Sequence, residues 1–461
     1  MSSRPMTDVV VLLPGITGSV LQKGGKDVWA VSPGSALRAL VSFGHSITAL
    51  QLQDDSDLDD GVTAPRVMPD IHLIPGLWKI DGYGKVSQYI RRTFAVQLGH
   101  SFFEFPYDWR RDNRVAARQL KEKSDEWLHE WRKEYPEAKL ILVGHSMGGL
   151  VARYFLECLD GWRDTRMLVT FGTPYRGSLN ALEFIAHGMR KALGPVTLID
   201  LSKLLRSFTS VYQLLPVYPC YQAGDGRDLV RLSESTGIPH LNLDRAKAAD
   251  AFHREIEQAV EKHLDDDEYM RERYPIHPVI GTFQPTNQSA RRSGETVQIL
   301  REYRGEDRDG DGTVPRDSAT PIEFKHEEGA MYASERHASL QNLDAVLVQL
   351  AGVLTGHDTA AFRDLPMSGI GLDVEDAYAT DEPIGVRVRS EEQSAELVVV
   401  AAEAETGREV GRAVLPPTID EWRNAEIPPI PAGTYRLTVS GGPLVQPVTD
   451  VFVVYNRGSE G

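Results

Sequence analysis

The hydrophobic pattern of the chain changes character twice. It opens with a continuous apolar run, Val9 to Gly15 (VVVLLPG), closed by Pro-Gly. A β-branched run with no polar face suits a strand buried on both sides. From Asp112 to Tyr135 the apolar positions Ala116, Leu120, Trp127, Leu128 and Trp131 recur at helical spacing, with Asp112 or Asn113 as N-cap. A second short strand is expected at Leu140 to Val143, a helix at Met147 to Leu159, and a third strand at Met167 to Gly172 (MLVTFG). Such alternation predicts a parallel sheet with helices on both faces. Further strands are expected at Pro278 to Phe283 and at Val297 to Tyr303, and helical spacing returns from His337 to Leu354. Residues 178–274 break into helical pieces joined by polar loops, a large insertion into the α/β core.

The second change follows Gly356. Residues 357–369 have the composition of a linker. From Ile370 onward, apolar and polar residues alternate in PIGVRVR, AELVVVAAEA, GTYRLTVSG and DVFVVYN, separated by Pro and Gly turns. Alternation with frequent turns predicts a β-sandwich-like domain over residues 370–461. The expected organisation is an α/β domain over residues 1–356, the linker, and this all-β domain. No internal repeat or low-complexity tract interrupts it.

Composition narrows the class. The chain has 461 residues, 41 % hydrophobic and 25 % charged, as in globular proteins. A formal net charge of −16 disfavours a nucleic-acid partner, which needs a basic stripe, and gives no help against an anionic membrane. Two cysteines, Cys158 and Cys220, are too few for a disulfide framework. Cys158 falls in a helical pattern and is expected as a buried free thiol. The N-terminal run is too short and too β-branched for a signal peptide, and no run approaches the roughly 20 residues of a membrane span. These features lead to an expectation of a cytoplasmic protein that uses no cofactor.

The clearest chemical signal is Gly144-His145-Ser146-Met147-Gly148, a G-x-S-x-G pattern with a buried strand before it and a helix after it. There the serine sits in a strained turn, its hydroxyl above the sheet and the helix N-terminus aimed at the reaction centre. A serine hydroxyl needs a base, and the base an orienting acid. In an α/β-hydrolase these follow in the order Ser, acid, His. Asp311 in GDGTVP meets the demand for an acid. His337 in SERHASL meets that for a base, with His326 and His357 as rivals. An oxyanion needs two backbone N–H donors. Met147 supplies one, and Ile16, in the loop Pro14-Gly15-Ile16-Thr17-Gly18-Ser19, is the candidate for the other. Asp311 also lies in DRDGDG, which resembles the start of a calcium loop. Counting from Asp307, however, position twelve of that loop is Ser318 rather than Glu, position nine is Pro315, and the preceding residues read as strand. Asp307 and Asp309 are then expected as solvated turn residues whose charge favours a protonated imidazole.

LLPGITGS, FPYDWR (Phe105 to Arg110), GHSMGG, FGTPYRGS and GDGTVP occur in this order, and from Asp8 to Leu354 the chain resembles the lecithin:cholesterol acyltransferase family. The resemblance implies an α/β-hydrolase fold with Ser146 as nucleophile, Asp311 as acid and His337 as base. It implies cleavage of an acyl ester, commonly of a glycerophospholipid, with the acyl group passed to water or an alcohol. It also implies a mobile lid. Leu193 to Leu215, including Leu204, Leu205 and Phe208, and Ile74 to Tyr83, with exposed-looking Trp78 and Tyr83, could serve as the lid or as a surface that meets lipid. Alternatively they pack on the core, as apolar stripes usually do. Asp108 in PYDWR is read as a structural partner of Arg110. The alternatives are an esterase acting on a non-lipid ester, and a regulated binding module whose β domain recruits a protein partner or drives self-association.

Overall fold

The computed structural model describes residues 3–29, 50–52, 60–74, 78–193, 197–224, 226, 228–324, 329–356 and 368–456. Six core strands form one sheet: β1 (Val9–Leu13), β2 (Phe102–Glu104), β3 (Leu140–His145), β4 (Thr165–Phe171), β5 (Ile276–Gly281) and β6 (Met331–Ala333). Their spatial order is β6-β5-β4-β3-β1-β2, and every neighbouring pair is parallel. Every residue of β1 and β3 is buried, as their unbroken apolar runs require.

The helix Asn113–Trp131 begins as expected. Asp112 caps it by accepting from the Arg114 N–H, and its buried side is Ala116, Ala117, Leu120, Leu128 and Trp131. It packs on the helix Met147–Cys158, which in turn packs on Leu243–Leu264. Between β4 and β5 come Leu179–His187, Ser202–Ser207, Thr209–Gln213 and Leu243–Leu264, the helical pieces read from the pattern. Thr296–Leu300 is a strand, but it pairs with Ser289–Ser293 outside the core sheet. The expected helix from His337 is broken. Residues Leu340–Asn342 form a 3₁₀ turn, and the α-helix runs only from Asp344 to Leu354. The cause is polar: the buried Gln341 and Asn342 amides donate to the Gly82 carbonyl at 3.0 and 3.1 Å, anchoring the segment before the helix can start.

The chain ends in two facing sheets. β7 (Ile370–Val374), β9 (Ile384–Ser390) and β12 (Arg423–Ile427) form one, in the order β7-β9-β12. β8 (Ala377–Ala379), β10 (Leu397–Glu403), β11 (Glu409–Leu415), β13 (Gly433–Ser440) and β14 (Val448–Tyr455) form the other, in the order β8-β14-β13-β10-β11. Alternate residues Ile384, Val386 and Val388 of β9 join Leu397, Val399 and Ala401 of β10 in one hydrophobic cluster, separate from that of the α/β core. Sheets packed on alternate inward residues make a sandwich. Cys158 and Cys220 are both unpaired; Cys220 is buried, whereas Cys158 is only half-buried.

Candidate active site

The candidate residues meet along the carboxyl edge of the core sheet, where open parallel sheets place their sites. Ser146 follows β3 directly. Its backbone has φ 53° and ψ −125°, the strained turn expected of G-x-S-x-G. A Cβ on Gly148 would lie 2.5 Å from the Pro14 carbonyl oxygen, and one on Gly15 2.8 Å from the Ser146 Cβ. The loop after β1 and the start of the serine helix therefore press together, as backbone-only positions allow.

Three side chains form a hydrogen-bonded line. Ser146 Oγ lies 2.9 Å from His337 Nε2, and His337 Nδ1 lies 2.7 Å from Asp311 Oδ2. The other Asp311 oxygen accepts from the N–H groups of Thr313 at 2.9 Å and Val314 at 2.7 Å, which leaves Oδ2 for the imidazole. The His337 N–H also donates to the Asp311 carbonyl at 2.8 Å. With Nδ1–H given to the carboxylate, the Nε2 lone pair faces the serine hydroxyl. Gly172, at φ 54°, leaves room for this line, because a Cβ there would meet Asp311 Oδ2 at 2.7 Å and His337 Nδ1 at 2.9 Å.

Met147 is the first residue of its helix, so its N–H belongs to the unpaired first turn. Ile16 is buried and lines the same cavity as Ser146 and His337. That cavity is about 290 Å³. Its apolar walls include Ile80, Ala181, Phe184, Val211 and Leu214, and its polar walls Lys79, Glu183, Arg336 and Asp376.

Several expectations are corrected here. Leu204, Leu205 and Phe208 are 6, 1 and 1 % exposed, packed in the α/β core, and do not form an exposed lid or lipid surface. Tyr83 is fully buried instead of exposed. Trp78 starts a short strand, Trp78–Ile80, and its side chain lies outside the described residues, as do His326 and His357. Asp307 is exposed, its Oδ1 accepting from Gln288 Nε2 at 2.7 Å and the Asp309 N–H at 2.9 Å. Asp309 is not solvated. It is half-buried at φ 52°, and burial pushes its carboxyl up to about 6 against the pull of the Phe283 backbone and Arg316. Its charge is therefore disfavoured rather than freely available to an imidazolium. Asp108 is structural: its Oδ2 meets Arg110 Nη2 at 2.6 Å, and the fully buried Arg110 also donates to the Leu50 carbonyl at 2.9 Å.

The pattern of the sequence missed a second set of contacts. Tyr83 Oη accepts from the Gly15 N–H at 2.7 Å and lies 2.8 Å from His145 Nδ1. His145 Nε2 lies 3.0 Å from the His337 carbonyl. A carbonyl only accepts, so Nε2 carries the proton and Nδ1 accepts from the tyrosine hydroxyl. Burial, and then the neighbouring His337, push His145 down to about 3, which keeps this ring neutral. Gly-His-Ser held the only sequence signal for His145; its partner is 62 residues away.

A buried parallel sheet carrying a positive-φ serine between a strand and a helix defines an α/β-hydrolase. Residues 83–271 match the lecithin:cholesterol acyltransferase family. The human lysosomal phospholipase A and acyltransferase is 30 % identical over 117 residues, 24 % of this chain and 27 % of that protein. The lecithin-cholesterol acyltransferase-like 4 of Arabidopsis thaliana is 24 % identical over 251 residues, 46 % of this chain and 43 % of that protein. The chain thus spans less than half the length of these curated relatives. Among solved structures, the Tle4-Tli4 complex aligns at a TM-score of 0.49 and 15 % identity, covering 77 % of this chain and 99 % of the other.

Proposed function

We propose that the chain is a serine esterase of lipid substrates that cleaves an acyl ester and passes the acyl group to water or an alcohol. The observation that carries this reading is the line Ser146–His337–Asp311, with links of 2.9 and 2.7 Å, opening into a partly apolar cavity. The match of residues 83–271 to the lecithin:cholesterol acyltransferase family supports lipid as the substrate class.

In this reading Ser146 Oγ attacks the ester carbonyl carbon while His337 Nε2 takes the hydroxyl proton. Asp311 holds the ring by its Nδ1–H and stabilises the imidazolium. The carbonyl oxygen becomes an oxyanion beside the N–H groups of Met147 and Ile16. Collapse breaks the bond between acyl carbon and alkoxy oxygen, and His337 returns its proton to the leaving alcohol. The acyl group remains on Ser146. Water or a second alcohol then attacks the acyl carbon, giving its proton to His337; the bond between that carbon and Ser146 Oγ breaks, His337 returns the proton to Oγ, and a free acid or a new ester leaves. The apolar wall of Ala181, Phe184, Val211 and Leu214 suits an acyl chain, whose burial yields about 0.8 kcal/mol per CH₂.

A fluorophosphonate probe tests the chemistry. It should label the wild type and not Ser146→Ala; labelling of both or of neither overturns the reading. Mass spectrometry after incubation with a mixed lipid extract then distinguishes the acceptor. Fatty acid and lysolipid mean hydrolysis, and a new ester means transfer.

A further inference from the structure

Three consecutive residues precede His337, and each is tied to the C-terminal sandwich. The Ser334 hydroxyl donates to the Ile370 carbonyl and accepts from the Ile370 N–H, both at 3.0 Å. Glu335 Oε1 accepts from the Thr449 N–H at 2.9 Å, on β14. Arg336 Nη1 donates to the Leu372 carbonyl at 3.1 Å, on β7, and Arg336 Nε pairs with Asp450 at 3.1 Å, on β14. The acid side is held by the same strand β7. Gln284 Nε2 donates to the Ile370 carbonyl at 2.7 Å, and Gln284 Oε1 accepts from the Leu372 N–H at 3.0 Å. The backbone of Gln284 bridges that of Asp311. One strand of the sandwich therefore grips both the segment leading to His337 and the segment carrying Asp311.

The bonds of Ser334 and Gln284 are buried, and those of Glu335 and Arg336 partly so. Ser334, Glu335, Gln284 and Asp450 are each under 5 % exposed. Burial, with Asp450 and Asp81 nearby, pushes the Glu335 carboxyl well up, against the pull of the Thr449 and Arg336 backbone N–H groups. Removing a partner from such a group leaves a desolvated donor or acceptor unpaired. The sandwich also reaches the cavity itself. Asp376, just after β7, lines it and holds Lys79, another lining residue, at 2.9 Å, while Asp450 holds the same lysine at 2.7 Å.

We infer that the C-terminal β-sandwich is a working part of the active site. Its strand β7 and the start of β14 position the His337 and Asp311 segments against each other, through Gln284, Glu335 and Arg336 as positioning residues. The inference rests on the esterase reading above, since it assigns those segments a shared task.

The test uses the full chain and a p-nitrophenyl acyl ester. Glu335→Ala should lower kcat about 10- to 100-fold with KM changed less than about threefold, because a small misplacement of the base slows chemistry more than binding. Glu335→Gln should restore most of kcat, since a neutral amide keeps the acceptor for the Thr449 N–H. Val399→Ala, in the sandwich core away from these bonds, supplies a control for simple destabilisation. If Glu335→Ala does not fold, Arg336→Lys takes its place; it keeps a charge for Asp450, loses the bond to Leu372, and should lower kcat in the same way. The inference is overturned if folded Glu335→Ala, or its substitute, turns over at the wild-type rate. It is also overturned if Val399→Ala lowers kcat as much for an equal fall in melting temperature. Those failures are separable from failure of the esterase reading, in which the wild type itself would neither be labelled by the fluorophosphonate nor turn over the ester.

Discussion

Tyr83 carries one hydroxyl between two parts of the site: it accepts from Gly15 in the loop beside Ser146 and donates to His145, whose ring holds the His337 carbonyl. Tyr83→Phe removes that hydroxyl and nothing else of size. Two buried groups lose their partner, so a loss of about 1–3 kcal/mol in stability is expected from a thermal melt. A fall in kcat of about tenfold or more with little change in KM is expected from kinetics, because the ester would still bind. Asp309 gives a prediction in pH. Its carboxyl ionises near 6 in the folded chain and near 3.8 when free. The native state thus holds the proton more tightly, and stability from this group is full below about 4 and lost as pH rises through about 6. Asp309→Asn, which also tolerates a positive φ, should therefore stabilise the protein at pH 8 by about 1 kcal/mol after allowance for solvent screening. At pH 4 the gain should vanish. Melting curves at the two pH values check this, and an equal shift at both would show that charge is not the cause.

At the scale of elements, the segment Ser202–Ser207 and its neighbour Thr209–Gln213 show what hydropathy carries and what it omits. The apolar stripe through Leu204, Leu205, Phe208 and Val211 is legible, but the same stripe serves a lid or a core helix. Only tertiary contact decides, and here Trp109 meets the Phe208 ring edge-on at 5.6 Å. Leu204→Asp combined with Leu205→Asp would bury two unpaired carboxylates, so the expected outcome is a fall in melting temperature or loss of soluble protein. A folded variant that merely lost vesicle binding would restore the lid. The same logic explains the other elements. β1 and β3 were readable because a strand buried on both faces must be apolar throughout. β2 and β6, each three residues long, hold no periodicity to read. The helix expected from His337 starts at Asp344 because Gln341 and Asn342 answer to Gly82, about 260 positions earlier in the chain. Ser146, Asp311 and His337 were readable through local turn geometry and chain order. Tyr83, Glu335 and Arg336 were not, since their partners are set by packing between distant segments.

The whole molecule joins an α/β core to a sandwich, and its two cysteines acquire a meaning at that scale. Neither is paired. Burial, helped by Glu255 and Glu157, pushes the Cys158 thiol up to about 12, and burial alone pushes Cys220 up. At neutral pH few Cys158 thiols are then ionised, and the thiolate is the species that alkylating reagents attack. The folded wild type should stay unmodified by iodoacetamide at pH 7.5. Ser146→Cys, with its sulfur at a helix N-terminus beside His337, should take up one equivalent, read by intact-mass spectrometry. Equal uptake by both proteins would place a reactive thiol elsewhere. Otherwise the chain offers a silent thiol background, in which a single introduced cysteine reports the electrostatics of its own position.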